Sequence, residues 1–470
     1  MPVVDDVTAG AYIGVGFHRG DLNQWHSDLV GDQLAWEKRQ FGHRARLYAT
    51  PAQDALMDAQ AHAARAMWNQ LHDLWTMTPR CQQSLARMDQ ALRQARKEID
   101  WYSILPAQAA QAVLKTYVQS WKNCWDGRAE EPRFKARIRS PMSLDIPQGR
   151  DLHIKRVHRR WGMVNIPKVG RVRFRWTKDL PVGRRANTDN RITGARLVKD
   201  ALGWHIAFRI QTLEPRPKSH PGPEVGIDAG VNLPLALSDG NHQDHGRPPR
   251  LPDNTSDRDK WLNLDEKAKL LRLERRAAHR KSFRKPRERG SNRLKHIYDQ
   301  IKQLRARATR RATDWQHQTT TTIARTYGTV VVEQLDITNM VKSARGTVEE
   351  PGRNVAQKAG LNRAIAQEAW GRTVTMLTYK TARYGGTLHK VPAPNTSLRC
   401  SDCGFITPGS REDQTTFVCK NPGCGFAANA DWNAARNILH LYRTGHTVAI
   451  PAAGRAVVRR ARHVKPPTAR

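Results

Sequence analysis

Apolar positions change their spacing along the chain, and the changes divide it. Leu56, Ala59, Ala63, Ala64, Met67, Leu71 and Leu74 recur mostly three or four apart, which is one face of an α-helix. Thr50-Pro51 ahead of them supplies an N-cap and a residue preset for the first helical turn, so a helix is predicted from 50. A second helix over roughly 84–97 and a third from Pro106 to Cys124 complete a helical module, with Arg46-Leu47-Tyr48 as a short strand in front. Between 150 and 213 the period falls to two. Leu152-His153-Ile154, Met163 to Ile166, Val172 to Phe174, Thr193 to Leu197 and Trp204 to Phe208 are short alternating runs parted by Gly, Pro and charge. That pattern predicts antiparallel strands forming a small barrel.

Pro215, Pro217, Pro221, Gly222 and Pro223 then read as a linker, the clearest boundary in the sequence. Beyond it come an apolar strand at 225–227, a second near 233–237, a long helical stretch at 256–325 and a β-branched strand from Thr329 to Glu333. A helix at 359–384 and a strand at 387–391 continue the alternation, which predicts an α/β layer fold. Residues 1–37 are acidic and Gly-rich, and an extra strand, a flexible lead or a lid all suit them. The tail from Ala452 is basic without acids and is expected to be disordered.

The chain has 470 residues, a formal net charge of +36 and a sequence pI near 10.7. Self-repulsion on that scale favours a polyanionic partner, and nucleic acid is the default. No apolar run reaches the roughly 18 residues of a membrane span, and no signal-peptide pattern opens the sequence. A cytoplasmic protein without a membrane partner or a small-molecule substrate is therefore expected. Residues 256–311 hold 20 Lys/Arg against 7 Asp/Glu, more one-sided than an ordinary solvated hairpin, and are expected to touch nucleic acid.

Cys400 and Cys403, then Cys419 and Cys424, approach the spacing of a four-cysteine Zn²⁺ site, with Gly404 and Gly425 suited to the tight knuckles. With no ligand position left open, the site is expected to be structural. Cys81 and Cys124 stand apart and read as buried thiols. Asp228 ends the strand Val225-Gly226-Ile227, Glu333 ends Val330-Val331-Val332, and Asp431 opens a helix in Ala430-Asp431-Trp432-Asn433. Singly, each is a common strand-end or N-cap acid. Together they are how an RNase H-like fold assembles a two-metal site for Mg²⁺, with Mn²⁺ as a substitute, in phosphodiester cleavage. Asp239, Asp336 and Asp402 sit in predicted turns and read as surface or capping residues.

VGIDAGVNLPLALSDG at 225–240, VVVEQL at 330–335, the stretch 361–386, NTSLRCSDCG at 395–404 and ADWNAARNIL at 430–439 resemble TnpB nucleases and the miniature type V CRISPR effectors related to them. The opening at 44–75 and Arg133-Phe134-Lys135-Ala136-Arg137 are similar to that family too. The resemblance implies an α+β multidomain protein. A wedge β-barrel would occupy 44–49 and 150–215, with a helical recognition domain at 50–149 inserted in it. An RNase H-like (RuvC) nuclease domain would follow at 222–394 and 427–446, carrying the basic insert and a zinc ribbon at 395–426. Residues 1–43 and 447–470 would be an extension and a basic tail. It further implies a guide RNA, a double-stranded DNA target and a short flanking motif. Size and the extension favour a compact CRISPR effector over a transposon-encoded TnpB nuclease. A repressor that no longer cuts, a strand-transfer transposase and a packaging protein fit the three acids and the domain order less well. By the same resemblance the motif is read where 106–124 meets 140–150, by Gln108 and Gln111 with Ser143 and Gln148. Ordinary surface amides would look the same.

Overall fold

The computed structural model describes residues 36–137, 140–247, 259–285, 288–347 and 349–448; the expectations for residues 1–35 and for the basic tail lie outside them. Strand β1 (Trp36–Tyr48) leads into helices α1 (Pro51–Met77), α2 (Leu85–Glu98) and α3 (Ala107–Trp125). Strands β2 (Met142–Ile146), β3 (Lys155–His158), β4 (Trp161–Ile166), β5 (Gly170–Arg175), β6 (Arg191–Asp200) and β7 (Gly203–Pro215) follow. They form one seven-stranded antiparallel sheet in the order β2-β6-β7-β1-β5-β4-β3. The edge strands β2 and β3 have no ladder between them among the described residues, so the predicted barrel is an antiparallel sheet left open at that seam. A 3₁₀ turn at Gly149–Leu152 packs against β6 and β4 and buries Leu152 completely.

α1 starts where the sequence placed it. Thr50 accepts from the Gln53 backbone and Gln53 answers to the Thr50 N–H, a capping box that satisfies two orphan donors. Met57, Met67 and Leu71 of α1 share one core with Leu114 and Tyr117 of α3 and with Val172, Phe174 and Phe208 of the sheet.

Several elements differ from expectation. β1 begins ten residues earlier than predicted, because its ladder with β7 runs from Trp36↔Pro215 to Arg46↔His205 and does not need an apolar sequence. The run at 152–154 is not a strand: His153 adopts a left-handed φ of 35°, and the ladder starts at Lys155. Cys81 lies exposed in a 3₁₀ turn and Cys124 is half-buried in the last turn of α3, so neither is the core thiol anticipated.

The second sheet comprises β8 (Glu224–Asp228), β9 (Leu235–Leu237), β10 (His242–Gln243), then β11 (Thr329–Glu333) and β12 (Thr387–Val391), in the order β10-β9-β8-β11-β12. β8, β11 and β12 are parallel. Between β10 and β11 the basic helical stretch forms a hairpin of α4 (Leu264–Ser282) and α5 (Asn292–Thr326). After β11 come the short α6 (Ile337–Met340), then α7 (Val355–Glu368) and α8 (Trp370–Arg383). The single helix predicted at 359–384 is thus broken at Ala369, which has a φ of 51°. Contacts from outside the helix hold the break: Gln316 Nε2 on α5 donates to the carbonyls of Glu368 and Ala369, and buried Lys260, ahead of α4, pairs with the buried Glu368 carboxylate. β13 (Thr416–Val418), β14 (Ala427–Asn429) and α9 (Ala430–Arg443) complete the described fold. No helix among the described residues is long and apolar enough to cross a membrane.

Alternation along β8 and β11 sends their side chains to two different cores. Val225, Ile227, Val330 and Val332 pack with Ile323 of α5 and Leu377 of α8, while Val331 packs with Ile438 and Leu439 of α9. Gly226 faces α9, and a Cβ there would stand 2.2 Å from the Ala435 carbonyl oxygen. Gly226→Ala should therefore cost about 2–3 kcal/mol of unfolding free energy, read by urea denaturation. Gly42→Ala, whose Cβ would meet nothing nearer than 4.0 Å, should be close to neutral.

Candidate active site and four-cysteine cluster

The same alternation places two acids. Val332 pairs with Ile227 in the parallel ladder, so the next residues, Glu333 and Asp228, stand side by side at the C-terminal ends of neighbouring strands. Both share parity with Gly226 and Val331, hence the α9 face. Asp431 is the second residue of α9, whose start is set by Asn429: that side chain accepts from the N–H groups of Asp431 and Trp432. Trp432 Nε1 donates to the Ser238 carbonyl at 3.1 Å, tying the helix start to the turn after β9. All three sequence-predicted acids therefore meet at one strand-end edge.

Burial governs their electrostatics, and crowding adds to it at Asp228. Burial, then Glu333 and Asp431, push Asp228 up to about 8. Burial also raises Glu333, against a hydrogen bond from the Thr396 hydroxyl. It raises Asp431 as well, against Arg411, whose Nη2 lies 3.2 Å from Asp431 Oδ1. Sequence reading passed over Thr396 and Arg411; a lone Thr or Arg in a loop carries no spacing signal. It also passed over Asn433 and Asn437, both fully buried on α9. Asn433 donates to the Arg399 carbonyl and accepts from the Ser401 N–H, while Asn437 donates to the carbonyls of Thr396 and Arg399. Two amides four residues apart on an otherwise apolar face were the available clue.

That stapled loop leads into the cysteines. The Sγ atoms of Cys400, Cys403, Cys419 and Cys424 all lie within 4.8 Å of one another, with Cys400–Cys424 at 3.8 Å and Cys403–Cys419 at 3.6 Å. Among the described residues this is the group of three or more potential metal ligands drawn so close; the three acids are spread more widely. Gly404 and Gly425 take φ of 79° and 65°, and the N–H groups of Cys400 and Cys419 donate to the Phe405 and Phe426 carbonyls, closing two knuckles. Arg411 belongs to the loop between the knuckles, so the cluster reaches back to Asp431.

A family model described as "Probable transposase" matches residues 207–344, which hold Asp228 and Glu333. A second, "Cas12f1-like, TNB domain", matches 370–438, which hold Asp431 and the four cysteines. InsQ of Escherichia coli (strain K12), to which its name attributes RNA-guided DNA endonuclease activity, is 31% identical over 351 residues, 75% of this chain and 77% of InsQ. The chain belongs to the TnpB/Cas12f-like family of RNA-guided nucleases. Within that family the likeness is uneven. The CRISPR-associated Cas12f1 of Sulfoacidibacillus thermotolerans is 47% identical, but over 62 residues, 13% of this chain and 14% of that protein. A cryo-EM structure of a Cas12f1–sgRNA–target DNA complex aligns with a TM-score of 0.47 at 16% identity, covering 88% of this chain and 86% of the other.

In this TnpB/Cas12f-like chain Gln108 and Gln111 lie on α3, Ser143 on β2 and Gln148 in the turn after it. Gln108 on the first turn of α3 donates to Gln148 Oε1 at 3.3 Å, and Arg150 donates to the same oxygen at 3.0 Å. Gln111 is exposed one turn on, and Ser143 on β2 accepts from Arg196. Asp336 caps α6, Asp239 accepts from the Tyr327 hydroxyl, and Asp402 is exposed beside Cys424. A further surface was not anticipated. On the outer face of β1, β5 and β4, Arg46 lies over Tyr48 and Arg173 and Arg175 over Trp161, with Tyr48 and Trp161 edge to face at 4.8 Å. Guanidinium groups interleaved with rings suit unstacked nucleotides.

Because the folded-state value of Asp228 lies above its ordinary 3.8, the folded chain keeps a proton there that the unfolded chain has released. Stability without metal should therefore fall as pH rises from about 4 to about 8. Asp228→Asn removes the titrating carboxyl. In EDTA its melting temperature should exceed that of the wild type by a margin that grows from pH 5 to pH 8; a constant margin would contradict the raised carboxyl of buried Asp228.

Proposed function

We propose that the chain is an RNA-guided DNA endonuclease of the transposon-encoded TnpB kind, cutting guide-complementary DNA at Asp228, Glu333 and Asp431. The observation that carries this reading is the meeting of those acids on one face, two from adjacent parallel strand ends and one from the helix packed over them. The match along three quarters of the chain to InsQ favours this kind over the compact CRISPR effector expected from size. In this reading the seven-stranded sheet with α1–α3 is the wedge and recognition part, and the second sheet is the RuvC nuclease. A guide RNA and a double-stranded DNA target are the partners, and the arginine-and-ring face of β1, β5 and β4 is suited to the RNA.

Burial raises all three carboxylates, Glu333 and Asp431 add to the rise at Asp228, and hard oxygen donors held in that way fit Mg²⁺, or Mn²⁺ in its place. Bound at Asp228, Glu333 and Asp431, the metal would activate water and stabilise the leaving oxygen. The chain itself contributes position: Thr396 orients Glu333, Asn429 fixes the turn that presents Asp431, and Arg411 holds Asp431 in an ion pair. The four sulfurs suit structural Zn²⁺, since a tetrahedron with bonds of about 2.3 Å sets sulfurs about 3.8 Å apart. Gln108 and Gln148, joined to each other, with Gln111 and Ser143 nearby, are the candidate readers of the flanking motif.

Asp228→Ala, Glu333→Ala and Asp431→Ala should each lower cleavage of a guide-matched plasmid by about 10²-fold or more while leaving RNA and target binding nearly unchanged. Near wild-type cutting by any of them would remove that residue from the site. Sequencing the RNA that copurifies should return the end of an insertion element; transcripts of a repeat array would favour the CRISPR reading.

Elemental analysis should find about one zinc per chain, lost together with thermal stability in Cys400→Ser or Cys419→Ser. Active protein free of zinc would refute that assignment.

A further inference from the structure

The segment Arg133–Arg137 stands out in the sequence, yet the nuclease chemistry gives it no task. In the structure it is docked on α1. Trp68 Nε1 donates to the Arg133 carbonyl at 3.1 Å. Asn69 grips Lys135 at both ends, donating to its carbonyl at 3.2 Å and accepting from its N–H at 2.8 Å. The docking lays Lys135 Nζ over the Trp68 ring, 3.3 Å from its centroid. There it lines a small pocket between α1, β2 and β6 with Arg65, Trp68, Ser143, Asp145 and Arg196.

Positive charge converges on this pocket from three directions. Arg65 comes from α1, Lys135 and Arg137 from the docked segment, and Arg196 from β6. They are near enough to act on one another: Arg137 repels Arg65 and the neighbouring His62, and Arg196 repels Lys135. One carboxylate, Asp145, lines the pocket across the ladder from Arg196. Asp145 is engaged by Arg209 at 2.7 Å. Arg196 donates to the Ser143 hydroxyl at 3.3 Å, and Arg65 meets His62 Nδ1 at 2.6 Å. Among the described residues none of these four cations forms an ion pair with a carboxylate. Lys135 gains a cation–π attraction from Trp68, but gathering like charges still costs stability in the free chain, and an anion placed among them would offset that cost.

We propose that this pocket binds a backbone phosphate of nucleic acid, with Lys135 and Arg196 as the direct donors and Arg65 and Arg137 supplying field. The proposal rests on the nucleic-acid-guided reading above and adds to it a site away from the three acids. Guide RNA and target duplex offer the same phosphodiester, and the test separates them. The full-length protein is titrated with guide RNA, and the protein–RNA complex with matched duplex DNA, from 50 to 400 mM KCl without Mg²⁺. Lys135→Met keeps the packing on Trp68 and removes the charge, Arg196→Gln and Arg137→Gln change exposed side chains, and Lys135→Arg keeps the charge. In one of the two titrations Lys135→Met and Arg196→Gln should each weaken binding about threefold to tenfold at low salt and reduce the log–log salt slope by about 1. Arg137→Gln should weaken binding less, and Lys135→Arg should retain the slope. A change confined to the RNA titration assigns the phosphate to the guide, and one confined to the DNA titration assigns it to the target. If Lys135→Met proves unstable, Arg196→Gln decides. Unchanged slopes in both titrations, with the wild type binding both ligands, would overturn the site and leave the nuclease reading intact. A wild-type chain that binds neither ligand would sink both.

Discussion

Helix α9 and strand β8 approach so closely that no side chain fits between them at Gly226, where the Ala435 carbonyl and the Leu439 backbone and Cβ make the matching surface. Much else depends on that contact. It sets the height of Asp431 above the strand ends that carry Asp228 and Glu333. It also brings Asn433 and Asn437 against the carbonyls of the loop before the first cysteine pair. A buried amide left without partners costs more than its bonds return, so helix and loop are obliged to keep one register. The cysteine knuckles, the Arg411 loop and the acids thus form one mechanical unit.

The contacts between the two sheets' halves of the molecule are of another kind. Arg310 of α5 donates to Asp200 at 2.8 Å and meets His205 at 2.6 Å, and Arg44 shares the same carboxylate. Burial holds His205 down to about 4, so at neutral pH it accepts from Arg310 without adding charge. Arg383 of α8 reaches Glu214 near the end of β7. Polar bridges of this sort are modest in strength and screened by salt, whereas each half has its own apolar interior. A chain bearing +36 charges has reason to join its parts in this way, since a polyanion that neutralises the surface also alters the field across the joint.

What could be read from the sequence was what local spacing encodes. Val225 to Asp228, Val330 to Glu333 and the two cysteine pairs announce a strand end or a knuckle within a few residues, and the elements at those positions are the ones found. The extent of β1 was hidden because its early residues, Glu37 to Gln40, are polar and owe their conformation to β7, more than 160 positions away. The break at Ala369 was hidden because Gln316 holds it from another helix. Arg411 and Thr396 acquire meaning only beside Asp431 and Glu333. No periodicity reports a contact between a loop and a distant acid.

The order of synthesis gives the position of α9 a further meaning. A chain emerging from the ribosome completes its N-terminal sheet and helices first, and can fold them as they appear. β8 and β11 follow, with their acids at the strand ends, but the face over Gly226 and Val331 stays bare until residues 430–443 have been made. An unfinished polypeptide therefore has the surfaces suited to nucleic acid before it has the helix that brings the third acid. Assembly of the acidic cluster is timed by chain length, so the acids meet only after the N-terminal sheet and its helices have been made.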